Sequence, residues 1–398
     1  MSQTAVMPPI VEPVSHSARS VSIPAYVYAS VFASLCIAVG LLWDISWHMS
    51  VGRDGLFSPP HLSMYLGAVI AGVFSGIKVL KTSFFSSEEE KQASIPFWGI
   101  FHGSLGALFC IWGAFAMLTS APFDDWWHNT YGLDVKILSP PHLVLGLGMM
   151  MIQFGAMVSV LAVQNNLKGT VSTKTRNHLR WLFALSAGFV LVMVYTIISE
   201  FFFVNRLHGV TAYKVAAVVF PLLIVPVSYA SPFRWGGTVM ALCYMGLMAA
   251  MVWILPLFPA EPKLSPVFNH ITRFQPYHFP LLLVFPALAI DLVMQRSREI
   301  NKWVLAALLS LVFLAAFVPL QWYFAEFLNT EAARGWFFGR FSWPYSSSPD
   351  WSYRYDFHPN YTSSGLGLIK GLALAGVLGL LSARIALAWG NWMGQIKR

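Results

Sequence analysis

Ten apolar runs, each near the length that crosses a bilayer, leave this chain few folds to choose from. They lie near 24–47, 61–80, 97–118, 141–164, 180–203, 212–230, 236–258, 280–297, 303–325 and 363–390, and a membrane-spanning helix needs about 20 such residues. Soluble domains carry about 25 % charged residues, whereas this chain has 11 % charged and 57 % hydrophobic. The expectation is an all-α, polytopic transmembrane helix bundle of about ten helices. Residues 1–23 read as a flexible polar tail without the form of a cleavable signal peptide. Residues 24–165 then form a four-helix membrane region, and 166–398 add about six spans with a long aromatic-rich loop at 326–362.

The net charge of +8 points to a lipid bilayer and not to nucleic acid, because membrane proteins concentrate Lys and Arg in cytoplasmic loops. With the N-terminus inside, those loops hold Lys78, Lys81, Lys91, Lys168, Lys174, Arg176, Arg180, Arg234, Arg296, Arg298 and Lys302, and the tail ends Lys397-Arg398. The opposite loops are poorer in basic residues for their length, so both termini are expected in the cytoplasm. Cys36, Cys110 and Cys243 are dispersed in apolar runs with no CxxC pair, which indicates neither a disulfide framework nor a thiolate metal site.

Two short stretches say nearly the same thing. Asp44, His48 and His61 are followed later by Asp124, His128 and His142, each set spaced Asp-x3-His-x(12 or 13)-His. Asp and His four apart share one helix face and can close on one ion. Ser58-Pro59-Pro60 and Ser139-Pro140-Pro141 precede the closing His. Ser suits the N-cap and Pro the first helical position, so each closing His falls in the first turn of a new helix. On the charge bias, both motifs lie at the outer face. The order of features suggests a duplicated helix pair that sets two triads side by side, as two mononuclear sites or one dinuclear site. Two carboxylates and four imidazoles suit Cu(II), Zn or Fe, whereas a soft Cu(I) store uses thiolates or thioethers. Met149-Met150-Met151 forms no such store, since consecutive residues point in different directions around a helix. The absence of paired Glu-x-x-His helices counts against a ferritin-like di-iron bundle.

Asp44-Ile45-Ser46-Trp47-His48, Arg53-Asp54, Phe57 and Pro60-His61 together resemble the metal-binding signature of the C subunit of particulate methane monooxygenase and ammonia monooxygenase. The second copy resembles that subunit's other triad, with Asp124 where the family has Asn. The resemblance covers roughly residues 35–165. It implies copper at Asp44, His48 and His61 and at Asp124, His128 and His142, in the bacterial cytoplasmic membrane. It further implies a homo-oligomer or other monooxygenase subunits as partners. The extra carboxylate at 124 would favour a divalent ion or a two-metal site.

Further polar residues are candidates for a supporting shell. Asp54 and Asp134 recur at equivalent places, either to hold a ligand imidazole or to brace the loop through Arg53 or Lys136. His102, expected in the third helix, and Glu200, near the end of the fifth, are ionisable groups inside apolar segments. His208, His270, His278 and His358 form a weaker third cluster, and the 326–362 loop reads as an interfacial cap, a lid or a partner surface. Three functional classes follow: a copper-dependent monooxygenase for a small apolar or weakly polar substrate, a non-catalytic metal-binding subunit or assembly factor, and a transporter. Transport is disfavoured because the ligands sit at helix ends and not at the midplane. Neither a nucleophilic triad nor a Gly-rich phosphate loop is present.

Overall fold

Helix starts in this chain follow its Ser, Asn and Pro residues. The Ser104 hydroxyl accepts from Ala107 N, Ser172 from Thr175 N and Asn301 Oδ1 from Trp303 N, while Pro59 and Pro140 open the two helices that carry the closing histidines. The computed structural model describes residues 22–52, 54–132, 139–167, 171–297 and 299–398. Arg53, Asp134 and Lys136 lie outside the described residues. In chain order the elements are α1 (Ala25–Ser50), α2 (Pro59–Phe85), α3 (Glu88–Gln92), β1 (Ile95–Phe97), β2 (Phe101–Gly103), α4 (Leu105–Tyr131), α5 (Pro140–Asn165) and α6 (Thr173–Ile198). They continue as α7 (Val210–Ala230), α8 (Gly236–Ile254), α9 (Val284–Arg296), α10 (Lys302–Asn329) and α11 (Gly365–Met393). Among the described residues nine helices are long and apolar enough to cross a membrane. The chain is an all-α polytopic bundle.

The eighth expected span, near 280–297, differs from the other nine. α9 has 13 residues, about 20 Å of helix, and residues 280–283 ahead of it are not part of that helix. Irregular backbone at membrane depth is tolerated only where protein satisfies its polar groups. Here Leu281 N donates to Tyr244 Oη at 3.2 Å and Leu282 N to Gln321 Oε1 at 3.1 Å, and Leu281 and Leu283 are buried. The middle of α9 is tied down by Asp291, which is fully buried. It accepts from Ser228 Oγ, Gly237 N, Thr238 N and Thr238 Oγ1 at 2.5–3.1 Å. Gly237 and Thr238 belong to the first turn of α8, so this carboxylate caps a neighbouring helix where the dipole favours negative charge.

The duplication expected from the sequence is a duplication of packing as well. α1 packs on α2 and α4 on α5, while α2 meets α4 and α1 meets α5. Exchanging α1 with α4 and α2 with α5 leaves that pattern unchanged. Glycines line both crossings, and one stands at the equivalent place in each copy. A Cβ on Gly67 would meet Ala33 O at 2.7 Å, and one on Gly148 would meet Gly113 O at 2.8 Å. Each glycine stands six residues after its ligand histidine, and each opposing carbonyl eleven residues before its ligand aspartate.

Following the spans alternately, both triads, the 258–283 segment and the loop between α10 and α11 fall at one end of the bundle. The short antiparallel hairpin β1–β2 falls at the other. That hairpin corrects the expected start of the third span near 97. Residues 95–103 turn back through Trp98 and Gly99, both at positive φ, and the helix begins only after the Ser104 cap.

Candidate metal centre

In the first cluster α1 ends and α2 begins, and the loop between them folds back over both. His61 Nε2 lies 2.9 Å from Asp54 Oδ2 and 3.3 Å from Asp44 Oδ1. His48 Nε2 stands at the rim, 3.8 Å from Asp44 Oδ2 and 3.7 Å from Asp54 Oδ2, with its side chain 51 % exposed. In the second cluster His128 Nε2 lies 3.4 Å from Asp124 Oδ2, and His142 Nε2 lies 3.3 Å from Asp124 Oδ1. All six expected ligands are thus gathered, three to a cluster.

Both copies orient the first imidazole in the same way. His48 Nδ1 is 3.0 Å from Gly52 O, and His128 Nδ1 is 3.3 Å from Gly132 O. These glycines have φ of 91° and 94°, a region that favours glycine, and the turned-back carbonyl results. His61 Nδ1 is likewise 3.0 Å from Gly55 O. A carbonyl only accepts, so each of these bonds takes its proton from Nδ1, and Nε2 is the nitrogen turned toward the carboxylates.

That orientation gathers Nε2 atoms and carboxylate oxygens, an arrangement stabilised by a positive charge between them, which a proton on Nε2 or a bound metal ion supplies. Asp44 Oδ1 and Asp124 Oδ1 are buried and accept no hydrogen bond of normal geometry. In a tetrahedral site with bonds of about 2.0–2.1 Å, neighbouring donors stand about 3.3 Å apart. The observed separations bracket that value, and Asp44, Asp54 and His61, like Asp124, His128 and His142, offer donor atoms within 4.8 Å of one another. The residues present fit a metal ion in each cluster.

Asp54 departs from the supporting role the sequence suggested for it. A carboxylate that fixes a tautomer must face Nδ1, yet Gly55 O occupies that side of His61 and Asp54 faces Nε2. Asp54 therefore stands with Asp44 and His61 in the group that could hold an ion. Burial opposes its charge, but the hydrogen bond from His61 and the positive fields of His48 and His61 hold its carboxyl below the usual carboxylate range.

The two clusters are separate but close. Tyr65, one turn beyond His61 with ring centroids 6.1 Å apart, is within electrostatic reach of Asp124 as well as of Asp44 and Asp54. Backbone groups from the second half of the chain tie down the end of α1 beside the first cluster. Ser46 Oγ donates to Gln275 O at 2.5 Å and Gln275 N to Ser50 Oγ at 2.7 Å. Lys263 N donates to Val51 O at 2.8 Å and Tyr345 N to Met49 O at 3.2 Å. These donors satisfy carbonyls that the end of α1 leaves unpaired, and a Cβ on Gly52 would run into Tyr345 Oη.

Other expected site residues lie elsewhere. His102 is on β2, where its N donates to Ser83 Oγ near the far end of α2. His61 and Ser83 are 22 residues apart in that helix, about 33 Å, so His102 cannot support either cluster. Glu200 is exposed in a 3-10 turn after α6, with its carbonyl bound by Arg206. The weaker third cluster does not converge. His208 is sandwiched between Trp322 and Phe357 at 3.9 and 3.5 Å, His358 accepts from Asn360 N, and burial, then Arg340, pushes His278 down to about 4. Among the described residues, no third group of His, Cys, Asp or Glu has metal-holding geometry. No protein-family model matches the chain, and neither does any curated protein or solved structure.

Proposed function

We propose that this chain is a copper-dependent membrane monooxygenase, or a subunit of one, that oxidises a small apolar or weakly polar substrate with O2. Asp44, His48, Asp54 and His61 would hold one ion and Asp124, His128 and His142 another. The observation that carries the reading is the paired convergence of Nε2 atoms on buried carboxylate oxygens without hydrogen-bond partners. Bound copper would supply the redox chemistry. The chain's own residues orient the imidazoles through Gly52, Gly55 and Gly132 and offset the ion's charge. Leu62 and Leu143, each beside a ligand histidine, are about half exposed, which supports substrate arriving through lipid. We place the chain in the bacterial cytoplasmic membrane with both termini inside and the clusters at the outer face, on the loop-charge bias.

One observation favours the non-catalytic reading for the first cluster. Its metal-holding group is Asp44, Asp54 and His61, two carboxylates and one imidazole, with His48 set apart at the exposed rim, unlike the one carboxylate and two imidazoles of the second cluster. Location at helix ends also weighs against transport.

Metal analysis of the purified protein tests the proposal. The wild type should hold two ions, one per cluster, and His48→Ala and His128→Ala should each lose one. Copper-dependent O2 uptake with a small alkane or ammonia should vanish in His128→Ala. Metal-free wild type after growth in copper would sink the metal reading. Two bound ions without O2 uptake would leave the metal-binding subunit.

A further inference from the structure

The loop between α10 and α11 gathers three guanidinium groups; of its acids, Glu331 pairs with Arg334, while Asp350 and Asp356 form no ion pair with any of the three among the described residues. Arg334 Cζ lies 3.8 Å from the ring centre of Tyr355, and Arg340 Cζ 5.6 Å from that ring and 5.3 Å from Trp343. Arg354 Cζ lies 5.0 Å from Trp343. Trp343 Nε1 donates to Tyr355 Oη at 3.1 Å, so two rings and three cations form one alternating stack.

The polar partners of Arg340 and Arg354 are neutral. Arg340 donates to Leu328 O, Asn329 Oδ1 and Arg354 O, and Arg354 donates to Asn269 Oδ1. The nearest carboxylate is that of Glu331, 3.8 Å from Arg334 Nη1 and 91 % exposed, a geometry worth little in water. Arg354 Nε and Asn329 Nδ2 are buried without acceptors. Asn329 Oδ1 and Arg354 O both bind Nη2 of Arg340, so these two idle donors belong to one cluster. Burial, together with the charge of Arg334, holds Arg340 down at about 10.

Ring faces relieve a cation only weakly at exposed sites, which does not offset the repulsion of three. An anion with several oxygens would use the idle N–H groups in the fork geometry guanidinium favours. The surroundings indicate its source. The stack sits at the ends of two spans, α10 and α11, and is flanked by Trp336, Phe337 and Trp351, which are 47, 50 and 41 % exposed. Exposed aromatic rings at span ends suit the headgroup layer.

We propose that Arg334, Arg340 and Arg354 bind the phosphate of an anionic lipid headgroup at the end of the bundle that carries the Asp/His clusters. This site is independent of the metal reading.

The test is lipid retention by native mass spectrometry on detergent-purified full-length protein supplied with equal phosphatidylglycerol and phosphatidylcholine. The wild type should retain phosphatidylglycerol preferentially. Arg334→Gln, which gives up no hydrogen bond within the chain, should cut that preference about fivefold, as should Arg354→Gln. Arg384→Gln, at the other end of α11, removes a charge far from the stack and should change nothing. Millimolar inorganic phosphate should compete the lipid off, since the phosphate is what the arginines recognise. Equal retention of both lipids by the wild type, or the same preference in Arg334→Gln, overturns the proposal. Phosphate that stabilises the protein without any lipid preference reassigns the site to a soluble anion and refutes the lipid.

Discussion

Gly67→Ala tests whether the helix crossing places the first cluster. The added Cβ would meet Ala33 O at 2.7 Å and Ile37 Cγ1 at 2.8 Å, where ordinary contact begins at 3.4 Å. Ala33 O is backbone and cannot swing aside, so α2 must move from α1 by about 0.7 Å, a shift that costs about 1–3 kcal/mol as overpacking. Alanine returns about 1 kcal/mol through helix propensity, so the net loss of metal-free stability is small. Metal binding has no such compensation. His61 lies six residues from Gly67, about 9 Å along the same helix, and a metal site tolerates displacements of about 0.2 Å. The expected loss is about 10–100-fold in affinity, as for other disturbances of ligand support, and it should fall on one of two bound ions. Competition titration of detergent-solubilised protein with a chromophoric chelator measures this. Gly148→Ala should do the same to the other ion. Gly146→Ala, whose Cβ would meet nothing within 4 Å, should do neither. Unchanged affinity in Gly67→Ala, or equal weakening of both ions, would refute the reasoning.

Asp54→Asn should remove most metal from the first cluster and leave the second loaded, measured as ions per chain; full occupancy would return Asp54 to a bracing role. Asp124→Asn should weaken divalent binding yet raise the melting temperature of the metal-free protein, because Asp124 Oδ1 is buried without a hydrogen bond and its charge is costly there without an ion. A drop in both melts alike would take Asp124 off the ligand set. His278 is held neutral in the fold, its pKa lowered from 6.5 to about 4 by burial and Arg340. The unfolded chain therefore takes up the proton first as pH falls, and stability should decline from about pH 6.5 toward pH 4. His278→Phe should flatten that slope in thermal melts of the metal-free protein, and an unchanged slope would assign it to other groups.

The sequence by itself determined the bundle, the span count to within one, and five of the six Asp and His residues in the two groups that could hold an ion, Asp54 taking the place expected for His48. Apolar length and the i,i+4 and Ser-Pro-Pro-His patterns are local properties, and local geometry carries them into the fold. Some of what went unread was also local: Gly52 and Gly132 stand four residues after His48 and His128, and Gly67 and Gly148 six after His61 and His142. A search for repeated glycines at fixed steps would have found them. Hydropathy placed His102 in a helix because Phe97, Ile100 and Phe101 look alike in a strand or a span, and only the turn at Trp98-Gly99 and the Ser104 cap decide otherwise. The rest depended on tertiary structure. Which nitrogen of His61 meets Asp54 follows from Gly55 O taking the other one. The bracing of Ser46 and Ser50 by Gln275 joins residues more than 200 positions apart. Asp291 is a lone acid in an apolar run until packing sets it against the first turn of α8. Contacts of this kind depend on how one helix lies against another, and no spacing within either helix records that.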